Sequence, residues 1–206
     1  LSLTTIRKRL SPADSRRMAL DAALEILIEH GPQAVTLKAV AGKVGRTHSN
    51  LLHHFGSADG LQKALAGHLA GAVCETIGKA VQARRAGQGT AREIVDLVFD
   101  AFGVQGAGAL ANWMAVTGNR DALDPIFDAI HGLLDQIGPA GEDWQKVREA
   151  TMTLVLQALG EAMIGNTLAD SLDLPHGHAR DLATRQLVAI LPRGEGTGGE
   201  EEALAD

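Results

Sequence analysis

One cysteine, no tyrosine and very few aromatic residues set the limits on this 206-residue sequence. The lone Cys74 cannot close an internal disulfide or build a thiolate zinc site, so it is expected to be a small core residue. With aromatics at 3%, the core has to be Leu, Ala, Val and Ile. Of these, Ala and Leu are among the strongest helix formers. Uninterrupted apolar runs of 18 residues are missing, so no membrane span is expected. The N-terminal stretch lacks the apolar centre of a secretory signal, and a cytoplasmic location is expected. Strand signals are missing too: no period-two run is bounded by hairpin turns. There is no H-E-x-x-H, no Gly-rich phosphate loop and no G-x-S-x-G elbow. The pairs His53-His54 and His176-x-His178 lack the carboxylate pattern of a known site. No enzyme activity, catalytic residue, metal site or cofactor is therefore expected.

Charge is present but unevenly spread. The net charge is −6. Residues 1–60 nevertheless hold eight Lys or Arg against five Asp or Glu, and the rest hold eleven against twenty. A basic head on an acidic body fits a polyanionic partner for the head alone.

The apolar spacing reads as helix throughout. A first helix is expected from Pro12 to His30, capped by Ser11 or Asp14 and closed by Gly31. Its face carries Ala19, Ala23, Ile26, Leu27 and His30. Thr36 caps a short second helix in which Leu37, Val40, Ala41 and Val44 recur at helical spacing, and Gly45 ends it. A third begins near Thr47 and closes at Phe55-Gly56. Ser57 caps a long fourth helix reaching about Arg84. Further helices are expected near 90–103, 107–117, 121–137, 142–172 and 176–191, about nine in all. After Pro192 the Gly-rich acidic sequence cannot bury enough apolar surface to offset its ordering entropy, and a disordered tail is expected.

Two short helices joined by a tight glycine turn form a helix-turn-helix. Leu51 and Phe55, at i and i+4, face inward with Leu52 beside them. Arg46, Thr47, His48, Asn50 and His53 then stand outside, with donors and acceptors for the major groove.

These positions resemble the TetR family of transcriptional regulators. Ala22-Ala23-Leu24, Gly31, Thr36, Val40-Ala41, Val44-Gly45, Thr47, Leu51, His54-Phe55, Ser57 and Leu61 stand at the family's spacing, over about residues 22–65. Three positions depart, one of them mildly: Ser49 stands where the family commonly has Gly. Leu52 stands where the family has Tyr, and Ala58 where it has the Lys after the capping Ser; both family residues commonly touch phosphate. The resemblance implies an all-α fold. Residues 1–60 form a DNA-binding head with a basic arm at 1–11, residues 61–191 an effector-binding and dimerisation body, and residues 192–206 the tail. It implies a homodimer on double-stranded operator DNA, commonly a repressor, released by a small-molecule effector. The candidate DNA contacts are Thr36 and Lys38 at phosphates, Arg46 at phosphate or guanine, Thr47, His48 and Asn50 at base edges, and His53 and His54 near the backbone. Dimerisation is assigned to the helices at 142–172 and 176–191. Phe99, Phe102, Trp113, Met114, Phe127, Met152 and Met163 are candidate pocket walls, with Phe102, Trp113, Met114 and Met152 put forward as ligand contacts. Asn112 and Gln157 supply polar specificity if buried. Such a pocket suits an uncharged or amphipathic effector. The alternative reading, carried by Leu52 and Ala58, is a dimeric helical ligand-binding protein whose head no longer touches DNA.

Overall fold

Helix starts follow the caps. Ser11 Oγ accepts the Asp14 N–H at 3.0 Å, and Pro12 opens α1, Pro12–His30, where its missing N–H costs nothing. A computed structural model describes residues 11–117, 120–138 and 144–190. The basic arm Arg7-Lys8-Arg9, Glu142 and the tail after Pro192 lie outside the described residues. Further along are α2, Leu37–Lys43; α3, His48–Phe55; α4, Ala58–Arg85; α5, Ala91–Phe102; α6, Ala107–Val116; α7, Asp124–Ile137; α8, Trp144–Gly160; α9, Asn166–Ser171; and α10, His178–Ile190. A π turn at Glu161–Gly165 joins α8 to α9 without a break. Counted as one, they leave nine helices among the described residues, and these contain no strand. No single helix there is long and apolar enough to cross a membrane.

The chain forms two compact units, Leu1–Leu65 and Ala66–Asp206, and α4 runs from the first into the second. The first unit is a three-helix head closed by the start of α4. Its core comes from Ala19, Ala23, Ile26 and Leu27 of α1, Leu37, Val40 and Ala41 of α2, Leu51 and Phe55 of α3, and Leu61 and Leu65. His30, expected on the α1 face, is exposed, because it ends the helix beside Glu29 at 3.7 Å. Val44 is half-buried.

In the second unit α5 is the central element. Thr90 and Glu93 cap it reciprocally, which satisfies two orphan N–H donors. Ile94, Val95, Val98 and Phe99 are buried on it, together with Ile77 and Val81 of α4, Leu133 of α7, Ala158 of α8 and Leu187 of α10. Arg180 of α10 lies with its guanidinium 5.3 Å from the Phe99 ring centroid. It donates to Asp100 at 2.8 Å and Asp96 at 3.2 Å. At the end of α4, Arg85 donates to the Ile137 and Gly138 carbonyls at the C-terminus of α7.

Three expected boundaries shift. The region from 121 opens as a 3-10 turn, Arg120–Leu123, before α7 begins at Asp124. Pro125 is the reason, since proline belongs in a first helical turn and disfavours helix in the residue before it. The expected long helix from 142 carries the π turn. The last helix begins at His178 because Pro175 and Gly177, the latter at φ +80°, hold the chain in a turn.

Candidate nucleic-acid interface and ligand cavity

The head is built around one turn. Thr36 Oγ1 accepts the Ala39 N–H at 3.1 Å and starts α2. After Lys43 the chain reverses at Gly45, whose φ of +64° lies in the left-handed region that suits glycine. The Arg46 N–H returns to the Ala41 carbonyl at 2.9 Å. Thr47 Oγ1 then accepts the Asn50 N–H at 3.2 Å and caps α3. Thr47, read as a base-edge candidate, thus also starts the recognition helix, and its hydroxyl hydrogen is still available to donate.

Leu51 is 1% exposed and Phe55 8%, so α3 is anchored on the face expected of it. Thr36, Lys38, Arg46, Thr47, His48, Asn50 and His53 are exposed, and His54 is half-buried. Leu52 does not lie beside the anchors: it is 42% exposed. Leu51 and Phe55 fix the inner face of so short a helix, and a residue next to Leu51 is rotated about 100° away from it.

Two clamps escaped the sequence reading. Arg16 of α1 donates through Nη1 to the His54 carbonyl at 2.6 Å, and its guanidinium lies 4.6 Å from the Phe55 ring centroid. It satisfies a carbonyl at the negative end of α3. Lys43, at the end of α2, pairs with Glu25 at 2.8 Å and Glu29 at 3.7 Å on α1. The Glu25 hydrogen bond raises the Lys43 pKa above the usual lysine value against some loss of hydration. Its charge therefore persists through neutral pH, and the contribution of the pair is lost only as pH rises past that raised value. Neither partner is signalled by local spacing. An Arg or Lys on a helix is ordinary until the fold brings its partner to it.

The second unit contains an apolar cavity of about 130 Å³ among α4, α5, α6, α7, α8 and α10. Phe102 lines it. The other three proposed contacts do not. Met114 is buried in packing elsewhere, Trp113 is 37% exposed, and Met152 is 61% exposed on the outer side of α8. Of the wider set, Phe99 is core, Phe127 and Met163 are exposed, and so is Asn112. Gln157 is half-buried and donates to Gln186 at 3.1 Å. The walls come instead from aliphatic residues far apart in sequence, such as Ile77, Val98, Leu133 and Leu154. Cys74 lines the cavity as well, and burial pushes its thiol pKa up. His176, one of the paired histidines, is hydrogen-bonded to Asp170 at 2.7 Å.

Large apolar side chains are exposed along the run α8–π turn–α9: Met152, Leu156, Met163, Ile164, Leu168 and Leu172, with Leu182 on α10. Exposed apolar surface of this extent is uncommon on a monomer.

An exposed polar recognition helix on a buried apolar anchor, in a chain whose other unit is an all-helical body around a cavity, defines a helix-turn-helix transcriptional regulator. Residues 19–65, which form the head, match the sequence profile of bacterial regulatory proteins of the tetR family. The fold of the whole chain is similar to that of the multidrug binding protein EbrR complexed with imidazole. That likeness has 18% identity and a TM-score of 0.62 and covers 86% of this chain and 94% of that one. EbrR complexed with proflavin is similar at 18% identity and a TM-score of 0.57, covering 83% and 98%. A tetR-family transcriptional regulator from Streptomyces coelicolor is similar at 15% identity and a TM-score of 0.53, covering 94% and 96%. No curated protein matches the sequence.

Proposed function

We propose that the chain is a homodimeric repressor that grips operator DNA through α3 and lets go when a small, largely apolar effector fills the cavity of the second unit. The observation that carries the DNA reading is the exposed face of α3 and the turn before it, where Arg46, His48, Asn50 and His53 stand around the buried anchors Leu51 and Phe55. A recognition helix lies in the major groove with its N-terminal residues at base edges. Thr47, His48 and Asn50 are our base readers, with Asn suited to adenine. Thr36, Lys38, His53 and His54 hold phosphates, and Arg46 takes either role.

Support for dimerisation is the apolar stripe from Met163 to Leu172. A two-fold axis through it gives two heads for two half-sites. Support for an organic effector is the apolar cavity, together with the fold likeness to a multidrug binding protein solved with small organic molecules. The effector acts by binding the DNA-free state more tightly than the DNA-bound one. The working division is a head at 1–60, a body at 61–191 and a tail at 192–206, acting in the compartment that holds the DNA.

A second reading, a dimeric ligand-binding protein without DNA contact, is favoured by Leu52, exposed where the family carries a phosphate-binding Tyr, and by Ala58. A salt-dependent gel shift on DNA flanking the chain's own gene separates the two. The first reading requires a retarded complex that weakens steeply with salt. An intact dimer that retards no duplex even at low salt selects the second.

A further inference from the structure

We propose that the cavity of the second unit and the groove beside it are two compartments of one site, whose ligand is a neutral amphipath with a planar polar head and an apolar tail of about six carbons. This inference rests on the effector reading above and names the chemistry of that effector.

The inner cavity, at about 130 Å³, is small. Drug-sized sites run to roughly 300–1,000 Å³, and a cavity of about 150 Å³ takes one benzene. A groove of about 580 Å³ lies against it, between α7 and α8. Ile130 and Leu134 of α7 and Thr151 and Val155 of α8 line both spaces. A single layer of side chains therefore forms their common wall, and rotamer changes in such side chains take far less than a helix movement.

The two spaces differ in chemistry. The inner one is lined mainly by aliphatic side chains, with Phe102, Cys74, Thr151 and Arg85 among them. The outer one presents the aromatic rings of Trp144 and Phe127, with Arg148 at 5.6 Å from the Trp144 ring centroid. Asp135 and His131 of α7 line the same groove. Asp135 and Arg148 place one charge of each sign in the groove, so neither an anionic nor a cationic head gains a net electrostatic advantage there. A neutral head carrying both a donor and an acceptor satisfies both, and a planar one stacks on Trp144. The tail then passes between Leu134 and Val155 into the inner cavity.

A series of 4-alkylbenzamides, from benzamide to the octyl compound, tests this on the full chain. Calorimetry reads affinity, and Trp144 emission in a Trp113→Phe background reads occupancy of the groove. Affinity should rise about fourfold per methylene until the tail reaches about six carbons and then level off, and Trp144 emission should change at saturation. Val155→Phe from the α8 side, or Ile130→Phe from the α7 side, should remove the dependence on tail length while benzamide still binds, which also shows that the variant is folded. Affinity indifferent to tail length, or length dependence that survives both plugs, overturns the inference. So does an unchanged Trp144 emission with bound ligand, or an emission that follows protein concentration instead, as it would if a second copy covered the groove. Benzene separates the two levels. If it binds while the series shows no length dependence, the joined site fails and the effector cavity stands; if neither binds, both fail.

Discussion

Gly45 and Gly60 are both needed in the head, for different reasons. A Cβ at Gly45 meets nothing within 4 Å, and only its positive φ resists a side chain. Gly60 has no such φ, but a Cβ there would overlap the Phe55 carbonyl oxygen. Gly60→Ala should therefore destabilise the head by about 1–3 kcal/mol, and Gly45→Ala by about 1 kcal/mol, as read from urea unfolding; the reverse order would contradict the packing of α3 against the start of α4. At Cys74, burial holds the thiol protonated, so less of it is thiolate near neutrality than in an unhindered cysteine. Maleimide should label it slowly at pH 7, with a rate that climbs to a midpoint above the usual thiol range. A bound effector should slow labelling further, since Cys74 lines the cavity. Residue roles that depend on a few neighbours were legible: Thr36 and Ser57 cap as their spacing implies, and of the two candidates for α1 it is Ser11 that caps. Arg16 and Lys43 were not, because each meets its partners across the fold.

Among the elements, α1 ends where Gly31 places it, and α2 and α3 follow their caps. The π turn inside α8–α9 has no breaker to announce it, since Glu161–Gly165 contains nothing that forbids α-helix. It sits where Gly108 of α6 comes close. A Cβ on Gly108 would stand 2.6 Å from the Phe102 carbonyl oxygen and 3.2 Å from the Ala162 Cβ. Arg180 also reaches this turn, 3.7 Å from Glu161. Burial opposes its charge, but the hydrogen bonds to Asp100 and Asp96 outweigh that and raise its pKa. Arg180→Ala removes the cation shared by Asp96, Asp100 and Glu161, and leaves Asp96 with Arg92. It should cost about 1–3 kcal/mol, lowering Tm by several degrees; an unchanged melt would show the cluster to be solvated surface. The candidate pocket walls divide at this scale. Phe102 lines the cavity, Phe127 and Met152 line the groove against it, and Met163 is exposed away from both. The cavity walls are mainly aliphatic residues on six helices, and no periodicity within one helix reports which of its apolar positions borders a void.

For the molecule as a whole, the −6 net charge conceals a head suited to a polyanion and a body with an apolar stripe. Leu168→Glu places a charge in that stripe, and its exposure in the single chain means the fold loses little packing. The variant should sediment as a monomer with an unchanged melt in dilute solution, and it should lose most of its affinity for a two-half-site operator. A dimer that persists would move the interface elsewhere. The all-helical class was legible because every apolar segment has helical period and the breakers fall between segments. The operator was not, since base preference depends on side-chain reach into a groove.

The most direct measurement is a salt titration of DNA binding, comparing wild type with Asn50→Ala on two duplexes: one selected by the wild-type protein from a random-sequence pool, and one of scrambled sequence. Base reading by α3 predicts that Asn50→Ala weakens the selected duplex by roughly ten- to hundredfold. The scrambled duplex should be nearly unaffected, with the salt slope of both proteins the same. Equal losses on the two duplexes, or no duplex selected at all, would contradict it.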